Sequence, residues 1–167
     1  VIQDIDEHVP EDLPDSQAAL YIAKSKAEAY RGQIADDELI ITADTVVIVG
    51  DEILGKPADE ADALRMLRML SGRTHQVTTG VSLMTTKMQR SFDVTTDVTF
   101  KSLTDEEIMY YINRYKPFDK AGAYGIQEWI GYIGVTGLHG SYYNVMGFPV
   151  QRIYTELQAF GLSAITD

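Results

Sequence analysis

The fold is set by residues 39–57, which have the sequence LIITADTVVIVGDEILGKP. Residues 39–41 and 46–49 are apolar β-formers with little polar alternation, which predicts a strand buried on both faces. Gly50 and Asp51 predict a tight hairpin turn, and residues 52–54 predict the returning strand. The segment therefore indicates a β-hairpin at the centre of the domain.

Asp44 interrupts this apolar strand. Because an isolated carboxylate is costly to remove from water, Asp44 must be hydrogen-bonded, paired with a cation, bound to a metal or exposed in a cleft. In a structural interpretation, backbone amides satisfy it; in a functional one, it faces a site. Lys56 follows the hairpin and could bring an ammonium group back towards Asp44. The residues alone leave both interpretations open.

Composition limits the class of protein. A chain of 167 residues with 45% hydrophobic content is sufficient for one domain with a substantial core. The absence of cysteine excludes disulfides and thiolate metal sites, and with no apolar spanning or signal segment we expect a soluble, cytoplasmic protein. A formal net charge of −11 argues against nucleic-acid polymers as partners. A phosphorylated substrate would require local cations or a divalent ion.

Helix and strand patterns alternate along the rest of the chain. A capping box at Thr104 and Glu107 predicts a helix start, and alternating apolar residues on both sides of residues 86–89 predict an antiparallel hairpin. A hairpin excludes a wholly parallel sheet, so we expect a mixed central sheet flanked by helices, in a single α/β domain spanning residues 1–167. The predicted helices cover residues 12–32, 59–70, 104–117 and 149–161, and the further strands cover residues 1–5, 77–83, 92–100 and 130–135.

Several charged side chains could act in chemistry. Lys26 interrupts the apolar face of the first helix, where it either extends its ammonium to water or directs it at an anion. With Lys56 and Lys120 it could meet Asp44 across a cleft, a combination that suits phosphoryl chemistry. Glu7 is either a solvated loop acid or a ligand, and His75 is expected to be a hydrogen-bonding structural residue rather than a base. Neither GxxxxGK[ST] nor a GxGxxG after the first strand occurs.

Five blocks of sequence carry a resemblance to a known family: ADTVV at 43–47, GKP at 55–57, SGRTH at 71–75, DKAGAYGIQ at 119–127 and GSYYNV at 140–145. In these blocks, which run in the family's order through most of the chain, the sequence resembles the Maf family of nucleoside triphosphate pyrophosphatases. The resemblance implies hydrolysis of a nucleoside triphosphate between its α and β phosphates with Mg²⁺ or Mn²⁺. It also implies an elongated, Maf/ITPase-like α/β fold with a central cleft, often dimeric.

The resemblance also implies roles for individual residues. Asp44 matches the family's catalytic acid, expected as a general base or as a metal ligand. Thr45 and Gln127 match the pair associated with dTTP and UTP selection, and a glutamine can offer both a donor and an acceptor to a pyrimidine. The remaining implied residues are Lys26, Lys56 and Lys120 for phosphate binding and catalysis, Tyr124 for substrate binding and Glu7 for the metal.

The sequence departs from the family pattern in two places. The family begins with a strand and a Ser-x-Ser-Pro-Arg-Arg phosphate loop, which the given sequence does not contain. Glu128 and Trp129 follow Gln127, where small residues are more usual. A leading hypothesis is thus a pyrophosphatase for dTTP, UTP and related or modified pyrimidine nucleotides. The alternative is a non-catalytic nucleotide-binding regulator of cell division, which the lack of the arginine loop favours.

Overall fold

A computed structural model describes residues 8–161 of the chain. These residues form a five-stranded sheet with flanking helices, which confirms the predicted α/β class. None of the helices described is long and apolar enough to cross a membrane. The strands are β1 (Ile40–Val49), β2 (Glu52–Leu54), β3 (Thr74–Met84), β4 (Gln89–Phe100) and β5 (Val135–His139). The helices are α1 (Ala18–Glu28), α2 (Glu60–Leu70), α3 (Asp105–Tyr115), α4 (Trp129–Gly134), α5 (Tyr142–Val145) and α6 (Val150–Gln158).

The strand order is β2-β1-β3-β4-β5, with the predicted β1–β2 and β3–β4 hairpins both present. Every pairing among the described residues is antiparallel, whereas a mixed sheet was expected. The reason is the position of β1. The helical connection through α2 leaves β2 and β3 running in the same direction, but β1 lies between them, so they form no parallel pair.

The two faces of the sheet carry different helices. Neighbouring side chains on a strand point to opposite faces, and Val47, Val77 and Val98 belong to the main core together with apolar residues of α2 and α3. The helix α1 lies against the other face, where its backbone approaches Gly80 of β3. This close approach brings α1 directly beside β1, the strand that carries Asp44.

Two predicted elements differ from those observed. Residues 130–135 were predicted as a strand, and this is wrong: residues 129–134 form α4, and β5 begins at Val135. A short apolar run does not distinguish a strand from a buried helical turn by periodicity, and here Ile130 packs into the core as part of a helix. The first helix is shorter than predicted, because a separate helical turn at Asp15–Gln17 precedes α1.

The capping box predicted at the start of α3 is present. The Thr104 side chain accepts a hydrogen bond from the Glu107 backbone N–H at 3.1 Å, and the Glu107 carboxylate accepts one from the Thr104 backbone N–H at 2.9 Å. Asp59 caps α2 in a similar way. The sequence predicted the starts of these two helices correctly because each capping hydrogen bond joins residues that are close in sequence.

Candidate active site

A cleft of about 540 Å³ opens beside β1. The strand β2 pairs only with Val47, Ile48 and Val49, so within the described residues no strand covers the earlier part of β1 on that side. The predicted site residues that the structure describes all line this cleft: Lys26, Asp44, Thr45, Lys56, Lys120, Tyr124 and Gln127. Glu7 lies outside the described residues, and its role stays a prediction.

Asp44 and Lys26 form an ion pair at the cleft. Lys26 Nζ lies 3.3 Å from Asp44 Oδ1 and donates a second hydrogen bond to the Ala43 carbonyl oxygen at 3.2 Å. The Asp44 side chain is 15% exposed and the Lys26 side chain 29% exposed, so both groups are partly desolvated yet open to the cleft. A charge pair at low exposure is held in place more firmly than a surface pair. Asp44 is therefore paired with an ammonium group beside an opening, as the functional interpretation requires.

Lys120 lies within a group of polar side chains on another wall of the cleft. Its Nζ is 3.1 Å from Asp119 Oδ1 and 3.9 Å from Glu128 Oε1. Tyr111 donates a hydrogen bond to the same Glu128 oxygen at 2.7 Å and accepts one from the Gly125 N–H at 3.1 Å. Burial, reinforced by the bond to Glu128, raises the pKa of Tyr111. The Tyr111 hydroxyl therefore links the Gly125 backbone to the carboxylate that lies beside Lys120.

Lys56 enters the cleft beside the same wall. The hydrogen bond from Lys120 lowers the pKa of the Asp119 carboxyl, and the Lys56 charge lowers it further. The loop after β2 is fastened by the Gly122 N–H, which donates to the Gly55 carbonyl at 3.0 Å. Gly122 has a φ of +72°, and a Cβ there would lie 2.8 Å from the Val47 side chain. Only glycine fits this approach, which brings the Lys56 and Lys120 loops together.

The Thr45 side chain is hydrogen-bonded to buried polar groups. Its Oγ1 lies 2.9 Å from Thr79 Oγ1, and Thr79 donates to the Asn144 carbonyl at 3.4 Å. The Asn144 side chain is buried and donates to the carbonyls of Val77 and Val94. These bonds tie α5 to β3 and place the segment after α5 at the cleft, where Met146 and Gly147 also line it.

Tyr124 lines the cleft, but it is only 5% exposed and its hydroxyl is engaged in the core. His75 Nε2 and the Tyr124 hydroxyl are 2.6 Å apart, and the two rings pack edge-on against each other. Burial lowers the pKa of His75 to about 4 and raises the pKa of Tyr124. His75 is thus a neutral structural residue, as predicted, and it positions Tyr124.

The donor chemistry of the cleft suits a hard divalent cation that binds together with substrate. Within residues 8–161 no group of three or more His, Asp or Glu side chains is placed to hold a metal. The carboxylates that line the cleft in this range are those of Asp44 and Asp119. Mg²⁺ is commonly held by one or two carboxylates plus substrate phosphates rather than by a protein cage. Asp44 fits that pattern.

Several residues of the site were given no role from the sequence. Thr79, Asp119 and Glu128 each contact a side chain that lines the cleft, and Asn144 contacts Thr79. The block at residues 140–145 was noted in sequence, but nothing local indicated that Asn144 reaches β3. The departure from small residues at Glu128 was the one signal that could have indicated its contact with Lys120.

Comparisons with known proteins agree on one family. Residues 1–160 match the family described as Maf-like protein. A relative named dTTP/UTP pyrophosphatase from Parabacteroides distasonis is 56% identical over 160 residues, which are 96% of this chain and 83% of the relative. Proteins of the same name from Phocaeicola vulgatus and Flavobacterium psychrophilum are 60% and 47% identical over 154 and 156 residues, covering 92% and 93% of this chain and 80% of each relative.

Proposed function

The chain belongs to the Maf-like protein family, and on that premise we propose that it is a nucleotide diphosphatase that hydrolyses dTTP, UTP and related pyrimidine nucleoside triphosphates to the monophosphate and pyrophosphate. The observation that carries the proposal is the Asp44 carboxylate, which is paired with Lys26 at 3.3 Å and lies in one cleft with Lys56 and Lys120. Such a cleft supplies both an acceptor for a proton and cations for phosphate oxygens.

In the proposed reaction, Asp44 acts on the attacking water. The water oxygen forms a bond to the α-phosphorus while the bond from that phosphorus to the bridging oxygen breaks. Pyrophosphate leaves with the bonding electron pair, and Asp44 takes the proton of the water. Lys26 supports this role because its ammonium lies 3.3 Å from Oδ1 and orients the carboxylate.

The lysines of the cleft supply the positive charge that attracts a triphosphate, because the chain as a whole is negatively charged. A net charge of −11 repels a triphosphate at long range, so the phosphates require local positive charge. Lys56 and Lys120 offer it from two loops that the Gly122 to Gly55 hydrogen bond joins. We assign them to the phosphate oxygens, whose charge increases on the leaving group as the bond breaks.

We further assign a divalent cation, Mg²⁺ or Mn²⁺, to Asp44 and the substrate phosphates. The support is the hard oxygen chemistry of Asp44 and its place in the cleft. When bound, such an ion offsets phosphate charge and lowers the pKa of a coordinated water. Glu7, which lies outside the described residues, is retained as a predicted further ligand.

The base is assigned to Thr45, Gln127 and Tyr124, which all line the cleft. The Gln127 amide offers one acceptor and two donors to a pyrimidine edge. Tyr124 is assigned there as a largely buried residue of the cleft lining, and its hydroxyl is bonded to His75.

A homodimer in the cytoplasm remains the predicted setting. Large apolar side chains are exposed along one stretch near the C-terminal end of the described chain, which supports a partner surface there: Tyr142, Tyr143, Met146, Phe148, Val150 and Tyr154. Light scattering at several protein concentrations tests the dimer directly.

The test is pyrophosphate release from a panel of triphosphates with Mg²⁺ or Mn²⁺. Asp44→Asn is expected to lower kcat by about 10²-fold or more, the range for losing a general base, while binding of a non-hydrolysable α,β-methylene UTP is retained. Asp93→Asn is the matched control, because Asp93 lies in the same sheet but does not line the cleft. Wild-type protein that binds the analogue and releases no pyrophosphate would instead identify a nucleotide-binding regulator.

A further inference from the structure

A buried row of oxygen atoms leads from the cleft into the protein. Thr45 Oγ1 lies 2.9 Å from Thr79 Oγ1, and Thr79 Oγ1 lies 3.4 Å from the carbonyl oxygen of Asn144. Thr79 is fully buried, at 0% exposure, so water cannot take the place of either partner. Thr45 is the member of this row that lines the cleft.

The direction of these hydrogen bonds follows from what each group can do. A carbonyl oxygen only accepts, and a threonine hydroxyl has a single proton to donate. Both contacts of Thr79 are hydrogen bonds only if Thr79 donates to Asn144 and accepts from Thr45. The proton of Thr45 is therefore used inside the protein. Towards the cleft, the Thr45 hydroxyl presents lone pairs and acts as an acceptor.

The surroundings of Thr45 suit an uncharged ring. Asp44 and Thr45 are consecutive on β1, so their side chains point to opposite faces of the sheet. A Cβ added to Gly147 would lie 3.9 Å from Thr45 Oγ1, and Val145 and Met146, next to Gly147 in sequence, also line the cleft. A hydroxyl that presents only lone pairs is a poor partner for phosphate oxygens, which are acceptors themselves. It is a good partner for an N–H group.

We infer that Thr79 is a specificity-determining positioning residue, which fixes the Thr45 hydroxyl as an acceptor for the imide N3–H of uracil and thymine. Cytosine carries an unprotonated acceptor at N3 and is disfavoured there, because two acceptors would face each other. The inference rests on the proposed function and deepens it, since it names the substrate atom that this part of the cleft distinguishes.

The test compares UTP with CTP in three variants. Thr79→Val keeps the shape of the side chain and removes the internal acceptor, so the Thr45 hydroxyl becomes able to donate to the cleft. The UTP-to-CTP ratio of kcat/KM is expected to fall about tenfold, the discrimination that one neutral hydrogen bond provides. Thr79→Ser retains the hydroxyl and is expected to restore the ratio. Thr79→Cys places a weak donor and acceptor at this position and is expected to lower the UTP-to-CTP ratio. It replaces the valine variant in the test if that variant does not fold.

Thr78→Val is the matched control. Thr78 is also buried in β3, and its hydroxyl lies 2.9 Å from that of Thr95. Neither Thr78 nor Thr95 lines the cleft. The variant loses an equivalent bond, and its ratio is expected to equal that of the wild type. A fall of the same size in Thr78→Val would overturn the inference.

Product binding separates this inference from the proposed function. Calorimetric titration with UMP and CMP needs no turnover, so it reports on the Thr45 contact even if the protein releases no pyrophosphate. The expected result is a wild-type preference for UMP that shrinks about tenfold in Thr79→Val. Equal affinity of the wild type for UMP and CMP, or an unchanged preference in both Thr79→Val and Thr79→Cys, refutes the role of Thr79. Loss of turnover alone refutes only the enzymatic proposal.

Discussion

Gly80→Ala should displace α1 away from the sheet. Gly80 lies opposite Asp44 in the β1–β3 register, and a Cβ added to it would lie 2.4 Å from the Leu20 nitrogen and 2.5 Å from the Ala19 carbonyl carbon and oxygen. Carbon atoms pack best at about 3.5–4.0 Å. Because the obstacle is helix backbone rather than a side chain that can rotate, α1 must move by about 1 Å.

This displacement has a cost in stability and a cost in activity. Overpacking typically costs about 1–3 kcal/mol, and we expect the upper end, about 3 kcal/mol, because no rotamer relieves the contact. Lys26 is carried by α1, so its 3.3 Å contact with Asp44 lengthens as the helix moves. A misplacement of about 1 Å at a reacting group can reduce the rate by about 10²-fold.

Urea unfolding followed by circular dichroism measures the stability term, and pyrophosphate release from UTP measures the activity term. Gly137→Ala is the control within the same sheet, because a Cβ at Gly137 makes only an ordinary contact with Thr99, at 3.7 Å. Its free energy of unfolding is expected to stay within about 0.5 kcal/mol of the wild type. If Gly80→Ala unfolds at the same urea concentration as Gly137→Ala, the account of helix docking is incorrect.

Three further predictions concern pH, the Lys120 wall and a helix cap. Burial lowers the pKa of His75 from 6.5 to about 4. As the pH falls, His75 is therefore protonated in the unfolded chain before it is protonated in the folded protein. The contribution of neutral His75 to the free energy of unfolding is complete above pH 6.5 and is lost as the pH falls to about 4. The loss is about 3 kcal/mol, and urea midpoints should show that His75→Phe lacks this pH-dependent step. Gly125→Ala places a Cβ 2.7 Å from Glu128 Oε1 and 2.9 Å from Lys120 Cε, so steady-state kinetics should show a severalfold rise in KM for UTP with the urea midpoint little changed. Thr104→Ala removes the cap of α3 and should lower the free energy of unfolding by about 1 kcal/mol without changing kcat.

The sequence predicted those features that depend on local pattern or on a polar residue out of place. Asp44 was identified because a carboxylate interrupts an apolar strand, and the structure places it in an ion pair at the cleft. The hairpin between β3 and β4 followed from alternation on both sides of a short turn. In each case the deciding interaction lies within the segment or concerns the free energy of a single buried charge.

Other features depend on contacts that no local pattern contains. Thr79 and Asn144 are 65 residues apart in sequence, and nothing near either residue indicates the other. Residues 130–135 were predicted as a strand, but a short apolar run fits a strand or a buried helical turn equally well. In the structure Ile130 packs into the core from a helix. The mixed sheet was expected because a hairpin in an α/β domain excludes a wholly parallel sheet, but the insertion of β1 between β2 and β3, which leaves no parallel pair among the described strands, is a property of the whole fold.

The placement of Asp44 beside Thr45 makes the register of β1 important for both proposed roles. The two side chains point to opposite faces of the sheet, so a slip of one residue would exchange the carboxylate and the hydroxyl. The structure restrains β1 on both faces: Thr42 donates a hydrogen bond to the Ala23 carbonyl of α1 at 2.8 Å, and Thr45 bonds to Thr79 on the other face. Thr79 therefore sets the polarity of the Thr45 hydroxyl and also helps to hold Asp44 in line with Lys26.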